Sequence, residues 1–464
     1  MKNKGLFEEK VLGGVGMEQK GKERSCRKKT MQFFCTVCVA VFFCLFAPQA
    51  SAATQLQEQY STDLAYSEDG WWDRGVQYGR LLLTEHSTNG ANTVLLATHC
   101  ELNAGLEDYK PRYPIYRSED GGKTWEIITY VTDALTGLQS EWNPFLFELK
   151  QPCGKYPAGT VILAACSIDA QHKSQSHIRL YFSLDGGYTF DQGVSVASGG
   201  GLENGVWEPF LMQLADGRLV CFYSDDSDSA HSQKIVYKTS SDAEHWGDAV
   251  DVVTSANAAE RPGMPVVTQL GDGSFFMVYE VVDKEGTDGN PVCFRRSADG
   301  LDWGDASFIG EELVSKNEKK ALGSAPYCGW TPVGGECGTL IVSGTFMRKG
   351  ESETGTDFFV SYDNGNTWLT LPHIIPYEVA DHVGYSNSFI FSADGKTMYA
   401  INNPQNPQNP EKSKMVVAVA SLQEKENTDG KYMLPLALTV VTGIGIAVFA
   451  VCIKKKNTSS RNDV

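Results

Sequence analysis

Residues 118–125 read SEDGGKTW, and the same pattern returns as SLDGGYTF at 183–190 and SYDNGNTW at 361–368. One residue shorter, it returns again as SSDAEHW at 240–246 and SADGLDW at 297–303. The common form, Ser-x-Asp-x-Gly-x-x-Trp, describes a turn. Asp and Ser side chains bond nearby backbone N–H groups, Gly takes the positive φ, and the aromatic ring is expected to tuck into the core of its own repeat. These carboxylates are therefore architectural despite their number. SEDGWW from Ser67 looks like a further copy displaced towards the N-terminus.

Working outward, each box belongs to a longer unit. Six times a Gly-containing turn leads into an apolar run: NGANTVLLAT from Asn89, YPAGTVILAA from Tyr156, ADGRLVCFY from Ala215, GDGSFFMVY from Gly271, GECGTLIVS from Gly335 and ADGKTMYAI from Ala393. The turn pairs supply positive φ for a hairpin, and the unbroken apolar runs suit strands covered on both faces. A repeat of roughly 60 residues holding four short strands and no amphipathic helix matches a propeller blade. The expected fold is all-β, a six-bladed β-propeller over residues 54–423 marked by Asp-box (BNR) repeats. The displaced box at Ser67 suggests that the N-terminal segment supplies the outer strand of the last blade.

The two ends carry different signals. A basic stretch, KGKERSCRKK, precedes the apolar MQFFCTVCVAVFFCLFA, and Ala50-Ser51-Ala52 follows as a small-residue cleavage site, so residues 1–53 are expected to be a signal peptide. YMLPLALTVVTGIGIAVFAVCI (432–453) is uncharged, long enough to cross roughly 30 Å of hydrocarbon, and stopped by Lys454. It is expected to be one transmembrane helix, with a linker at 424–431, a cytoplasmic tail at 454–464 and the propeller at the cell surface.

The formal charge of −17 includes both basic ends, which argues against nucleic acid as a partner. Five of the 12 cysteines fall in the signal segment and the span. The remaining seven show no CxxC and no regular spacing; Cys100, Cys166 and Cys221 lie in apolar runs as small core residues, and Cys328 and Cys337 either pair or stay free. No HExxH occurs, and neither a metal nor a cofactor is expected.

The chemistry should lie where the innermost strands face the central funnel. Aligning WNPFLFEL, WEPFLMQL, GMPVVTQL, WTPV and SNSFIF places Asn143, Glu208, Met264, Thr331 and Asn387 at one position, so one blade alone puts a carboxylate there. The ends of the second strands read ATHCE, ACSID, YSDD, VYE, SGTF and INNP, and the VYE copy ends on Glu280. Glu208 and Glu280 thus sit on adjacent blades, aimed at one space. Two facing carboxyls are what glycoside hydrolysis requires, one to protonate the leaving oxygen and one to attack or to activate water. Solvated acids at strand ends are the simpler alternative. Trp142, Trp207, Tyr279 and Trp330 are expected to ring the funnel mouth, and with Asn143, Arg261 and Tyr385 they make up the candidate sugar-binding set.

With these residues in view, the region 54–423 resembles the sialidase-clan propellers. WEPFLMQLADGRLVCFYSDD and the later VYE resemble the exo-α-1,5-L-arabinanases within that clan. The resemblance implies a retaining glycosidase, with Glu208 and Glu280 as catalytic glutamates acting on α-linked arabinofuranosyl or similar neutral glycans. Glu208 as nucleophile and Glu280 as acid/base, or the reverse, both remain open; a retaining pair should stand about 5 Å apart. True sialidases carry a Phe-Arg-Ile-Pro motif and three arginines that grip a carboxylate; this chain has QYGRLLL around Arg80, with Arg261 and Arg348 as the other blade arginines. An exo-α-sialidase and a non-catalytic glycan-binding propeller are the alternative readings. The expected partner is an oligo- or polysaccharide, and the expected state is a monomer.

Overall fold

The computed structural model describes residues 54–66, 75–86, 93–101, 112–134, 140–169, 174–287, 289–316, 319–349, 352–378 and 383–424. The signal segment, the box at Ser67, the turn at Asn89 and the 432–453 run lie outside them. Among the described residues every regular element is a strand, and no helix is long and apolar enough to cross a membrane.

The strands form six antiparallel blades of four strands each, with the short Gln405–Asn406 as a fifth in the last. Blade 1 is built from Val76–Leu83, Leu95–Glu101, Tyr113–Ser118 and Glu126–Val131, and blade 2 from Ser140–Glu148, Val161–Ile168, Ser176–Ser183 and Val194–Gly199. Blade 3 uses Val206–Gln213, Leu219–Asp225, Lys234–Ser240 and Val250–Val253; blade 4 uses Arg261–Gln269, Phe275–Val282, Val292–Ser297 and Glu311–Glu312. Blade 5 comprises Tyr327–Thr331, Thr339–Ser343, Phe358–Ser361 and Leu369–Leu371. The apolar runs are the second strands, and Val161–Ile168 and Leu219–Asp225 are buried along their whole length. A separate three-stranded sheet, Ala321–Gly323, Phe346–Lys349 and Ser352–Gly355, was not signalled in the sequence.

Blade 6 closes the ring. Its strands Ser388–Phe391, Thr397–Asn402 and Asn409–Glu424 are completed by Thr54–Tyr66, paired from Thr54 opposite Glu424 to Tyr66 opposite Lys414. The N-terminal segment therefore supplies the outer strand, as the sequence pattern suggested.

The Asp-boxes hold their turns as expected. Asp120 Oδ1 accepts from the N–H groups of Lys123 and Thr124, each at 3.0 Å, while the Gly122 amide donates to Ser118 Oγ at 2.9 Å. The same bonds recur around Asp185 and Asp363. In two of the boxes the aromatic ring also reaches the preceding blade. Trp303 of blade 4 meets Phe222 of blade 3 edge-on at 6.0 Å, and Trp368, following blade 5's third strand, lies 5.8 Å from Phe276 of blade 4. The boxes thus join neighbouring blades as well as closing turns. All seven cysteines in the described residues are free. Cys328 Sγ is turned into the core towards the Val266 carbonyl, so it makes no bridge to Cys337.

Candidate active site

Five of the six inner strands share an x-Pro or x-Gly step, and at or just before each inner strand one residue adopts a left-handed backbone: Tyr78 (φ 60°), Asn143 (49°), Glu208 (57°), Met264 (57°), Ala325 (43°) and Ser386 (54°). In blades 1 to 4 this residue sits in a β-bulge, between Gln77 and Arg80, Trp142 and Phe145, Trp207 and Phe210, and Gly263 and Val266. Positive φ is uncommon outside glycine and costs on the order of 1 kcal/mol or more. A bulge also re-aims the side chain it carries. Tyr78, Met264 and Ala325 meet in one buried cluster with Cys100 and Tyr385, so these positions converge on the propeller axis.

Two alignments made from sequence are corrected here. In blade 5 the position of Glu208 is held by Ala325, before Pro326, and not by Thr331, which ends its strand and donates to the Gly395 carbonyl. In blade 6 it is held by Ser386 rather than Asn387. The WTPV spelling misled because Trp330 mimics Trp207, whereas the step that recurs is the x-Pro of Asn143-Pro144, Glu208-Pro209, Met264-Pro265 and Ala325-Pro326.

Glu280 sits in the second strand of blade 4 opposite Gly263. The matching pairs elsewhere are Gln77 with Cys100, Trp142 with Cys166 and Trp207 with Ser224. Matching the strand ends alone would set Glu280 against Glu101, Asp169 and Asp226; the ladders set it against Cys100, Cys166 and Ser224, and Glu280 is the single carboxylate of that set.

Both glutamates are held in the same way. Oε2 of Glu208 accepts from Ser224 Oγ at 2.5 Å and from the Met264 amide of the next blade at 3.1 Å. Oε2 of Glu280 accepts from the Ala325 amide of the next blade at 2.8 Å and from Ser324 Oγ at 2.9 Å. Each carboxyl is fixed through one oxygen. Burial pushes Glu208 up to about 7, opposed by the Ser224 hydroxyl and reinforced by the charge of Glu280. Burial also raises Glu280, against the bonds from Ala325 and Ser324 and the charge of Arg261. The two therefore titrate as a coupled pair that keeps a proton near neutral pH.

The aromatic residues divide. Trp142 lies 6.1 Å from Trp207, and Trp207 Nε1 donates to Asp226 Oδ2 at 3.2 Å. Arg261 extends this chain, donating to the same Asp226 oxygen at 2.9 Å and to Gln233 Oε1 at 2.7 Å. Tyr385 stands beside the pair, its hydroxyl 3.5 Å from Met264 Sδ, and both glutamate charges bear on it. Tyr279 and Trp330 are elsewhere. Strand alternation sends Tyr279 into the blade core, where its hydroxyl donates to the Ile309 carbonyl. Trp330 lies against Gly271 and Gly338, with Nε1 donating to the Cys337 carbonyl. Ser224 and Asp226, both within the quoted WEPFLMQLADGRLVCFYSDD stretch, escaped sequence reading because nothing in their residue type marks them.

The three arginines singled out from sequence are committed apart from one another, Arg348 in the separate sheet rather than in a blade. Arg80 is buried, 4.0 Å from the Tyr78 ring centre, and donates to the backbone and hydroxyl of Ser386, stapling blade 1 to blade 6. Arg261 pairs with Asp226, and Arg348 with Glu312. A cavity of about 10 Å³ beside Glu208 and Arg80 has room for roughly one water.

No family model matches the chain, and no curated protein does. Solved structures do. An α-L-arabinanase of Penicillium chrysogenum complexed with arabinobiose is 31% identical, with a TM-score of 0.67 over 78% of this chain and 98% of that one. A GH93 α-L-arabinofuranosidase of Fusarium graminearum, also with arabinobiose, is 29% identical, with a TM-score of 0.66 over 78% of this chain and 97% of that one. A glutamate-to-alanine variant of a Fusarium graminearum α-L-arabinofuranosidase with an iminosugar inhibitor matches at 29% identity and TM-score 0.66, again over 78% and 97%. At 31% identity over 98% of the Penicillium chain, the protein belongs to the GH93 α-L-arabinanase family of glycoside hydrolases.

Proposed function

We propose that the protein is a retaining exo-glycosidase that removes arabinofuranosyl units from α-linked arabinan, with Glu208 and Glu280 as its catalytic pair. The carrying observation is their matched tethering: on adjacent blades, each carboxyl is held through Oε2 by a backbone amide and a serine hydroxyl. Double displacement needs such a pair. One carboxylate attacks the anomeric carbon as the other carboxyl gives its proton to the departing glycosidic oxygen. Water then returns a proton to that second group and its oxygen to the anomeric carbon, releasing the first carboxylate with configuration kept.

The hydrogen-bond lengths support Glu208 as nucleophile. The 2.5 Å contact from Ser224 is the length of a hydroxyl held to a carboxylate anion, whereas the 2.9 Å contact from Ser324 to Glu280 is not. When Glu280 keeps the shared proton, its charge no longer pushes Glu208 upward. Trp142, part-exposed and backed by the buried Trp207, offers an aromatic face to a sugar, and Trp142 Nε1 and Asn143 Oδ1 have no protein partner among the described residues. A neutral substrate is favoured over a sialoside because Arg80, Arg261 and Arg348 are each engaged separately. The signal segment and the 432–453 run support an enzyme held at the cell surface.

Purified protein should be given linear α-1,5-arabinan, arabino-oligosaccharides and sialyl-lactose, with the first-formed anomer followed by proton NMR. Release of an arabinose product with retained configuration is expected. Sialic acid release, or binding of arabinan without any release, would defeat the reading.

A further inference from the structure

We infer that Ser224 is a positioning residue of the reaction, its hydroxyl holding Oε2 of Glu208 so that the opposite oxygen faces the substrate. This rests on the two-glutamate reading above.

Ser224 is fully buried at the end of blade 3's second strand, opposite Trp207. Its place in blade 3 is the place of Glu280 in blade 4. One blade uses that position to carry a carboxyl, and the blade before it uses the position to hold one. The direction of its hydrogen bonds is fixed by its neighbours. The Met264 amide lies 3.1 Å from Ser224 Oγ and 3.1 Å from Glu208 Oε2, and an amide only donates. Ser224 Oγ thus accepts from Met264 and has its own proton free for the carboxylate at 2.5 Å. Three groups from two blades form a closed triangle around one oxygen.

The packing beside this triangle keeps it in place. Gly263, next to Met264, has no room for a side chain: a Cβ there would lie 2.0 Å from Gln233 Nε2 and 3.1 Å from Ser224 Oγ. Gln233 in turn donates to the Pro262 carbonyl and accepts from Arg261, which connects the triangle to Asp226 and Trp207. The hydroxyl has a second consequence, since hydrogen bonding to the charged form counteracts the upward pull of burial on Glu208.

The test uses full-length Ser224→Ala and Ser224→Thr, assayed for arabinan hydrolysis across pH beside Glu208→Gln. Loss of the hydroxyl should lower kcat by roughly 10- to 100-fold with little change in KM, and move the acidic limb of kcat/KM upward by about one pH unit. Ser224→Thr, which keeps the hydroxyl, should restore the parental limb. A shift of the alkaline limb instead supports the inference equally and exchanges the roles of the two glutamates. A parental pH profile in a folded Ser224→Ala enzyme overturns the inference, as does a kcat loss that Ser224→Thr shares in full with no movement of either limb. Inactive Glu208→Gln beside fully active Ser224→Ala would remove this inference alone, whereas active Glu208→Gln would remove the reading beneath it.

Discussion

The amide of Met264 donates to Oε2 of Glu208 across the seam between blades 4 and 3, at 3.1 Å. Met264 is itself the left-handed residue of its blade, and Ala325, left-handed in blade 5, donates likewise to Glu280. The left-handed backbone at these two positions therefore aims an N–H at the carboxyl of the blade before it. The same repeated distortion serves two ends. In blade 3 it points a glutamate at the axis, and in blades 4 and 5 it fixes the glutamates in place.

Glu208→Gln should abolish turnover while the protein stays folded. Asn143 shows that an amide fits this left-handed position, and a Gln carbonyl still accepts from Ser224 and Met264. Loss of a nucleophile or acid/base predicts at least about a thousandfold lower kcat, about 4 kcal/mol of transition-state stabilisation. Stability should change in the opposite sense. Glu208 is pushed in the folded state from the ordinary 4.5 up to about 7, so the fold disfavours its charged form; that penalty is absent below the lower value and complete above the upper. The Tm of Glu208→Gln should therefore exceed the parent's by a few degrees at pH 8, with the difference fading towards pH 4. A lower Tm at pH 8, or retained activity, would place Glu208 outside the chemistry.

How far this pair was legible depends on which signal each residue left. The boxes at Ser118, Ser183 and Ser361 were readable because one turn geometry demands Ser, Asp and Gly at fixed steps, and the blade count followed. Glu208 and Glu280 stood out because repetition turns an odd residue into an observation. Tyr279 was misplaced by the same logic applied without strand alternation, which puts adjacent residues on opposite faces. Blade 5 was misaligned because the extra sheet around Phe346–Lys349 interrupts the repeat and Trp330 imitates Trp207. Positive φ at Tyr78, Glu208 and Met264 left no mark at all, since none of these residue types prefers it.

The pH dependence follows from the coupled carboxyls. Activity requires Glu208 ionised and Glu280 protonated, so kcat/KM should be bell-shaped, with burial drawing the acidic limb set by Glu208 up towards neutral pH and the raised Glu280 setting the alkaline limb. In Glu280→Gln the neighbouring charge is gone while burial remains, so the Glu208 carboxyl should titrate below the parental value. Carbon-13 NMR of labelled glutamate reads this directly. An unshifted titration would show that the two carboxyls do not interact.

Ring closure gives the last prediction. Thr54–Tyr66 pairs with Asn409–Glu424 along its whole length, and its inner side places Leu56, Tyr60 and Leu64 against the core. The final pair is Thr54 with Glu424, and the Glu424 carboxylate also accepts from the amides of Gly334 and Gly335 in the neighbouring blade, each at 3.3 Å. A chain comprising residues 54–424 keeps every one of these contacts. Made with residues 1–53 in front of it, this chain should be released without membrane association, with the parental kcat/KM and a Tm within about 2 °C of the full-length protein. Deleting residues 54–66 should do the reverse, because it leaves Asn409–Glu424 as a long unpaired edge and uncovers apolar side chains. A Tm lower by about 10 °C, or aggregation on purification, is expected of that deletion. Thermal melts of the two chains, with fractionation of cells expressing each, make the comparison. An unaltered melt after removal of 54–66 would mean that the outer strand decorates blade 6 without closing the ring. Failure of 54–424 to fold would place a needed contact beyond Glu424.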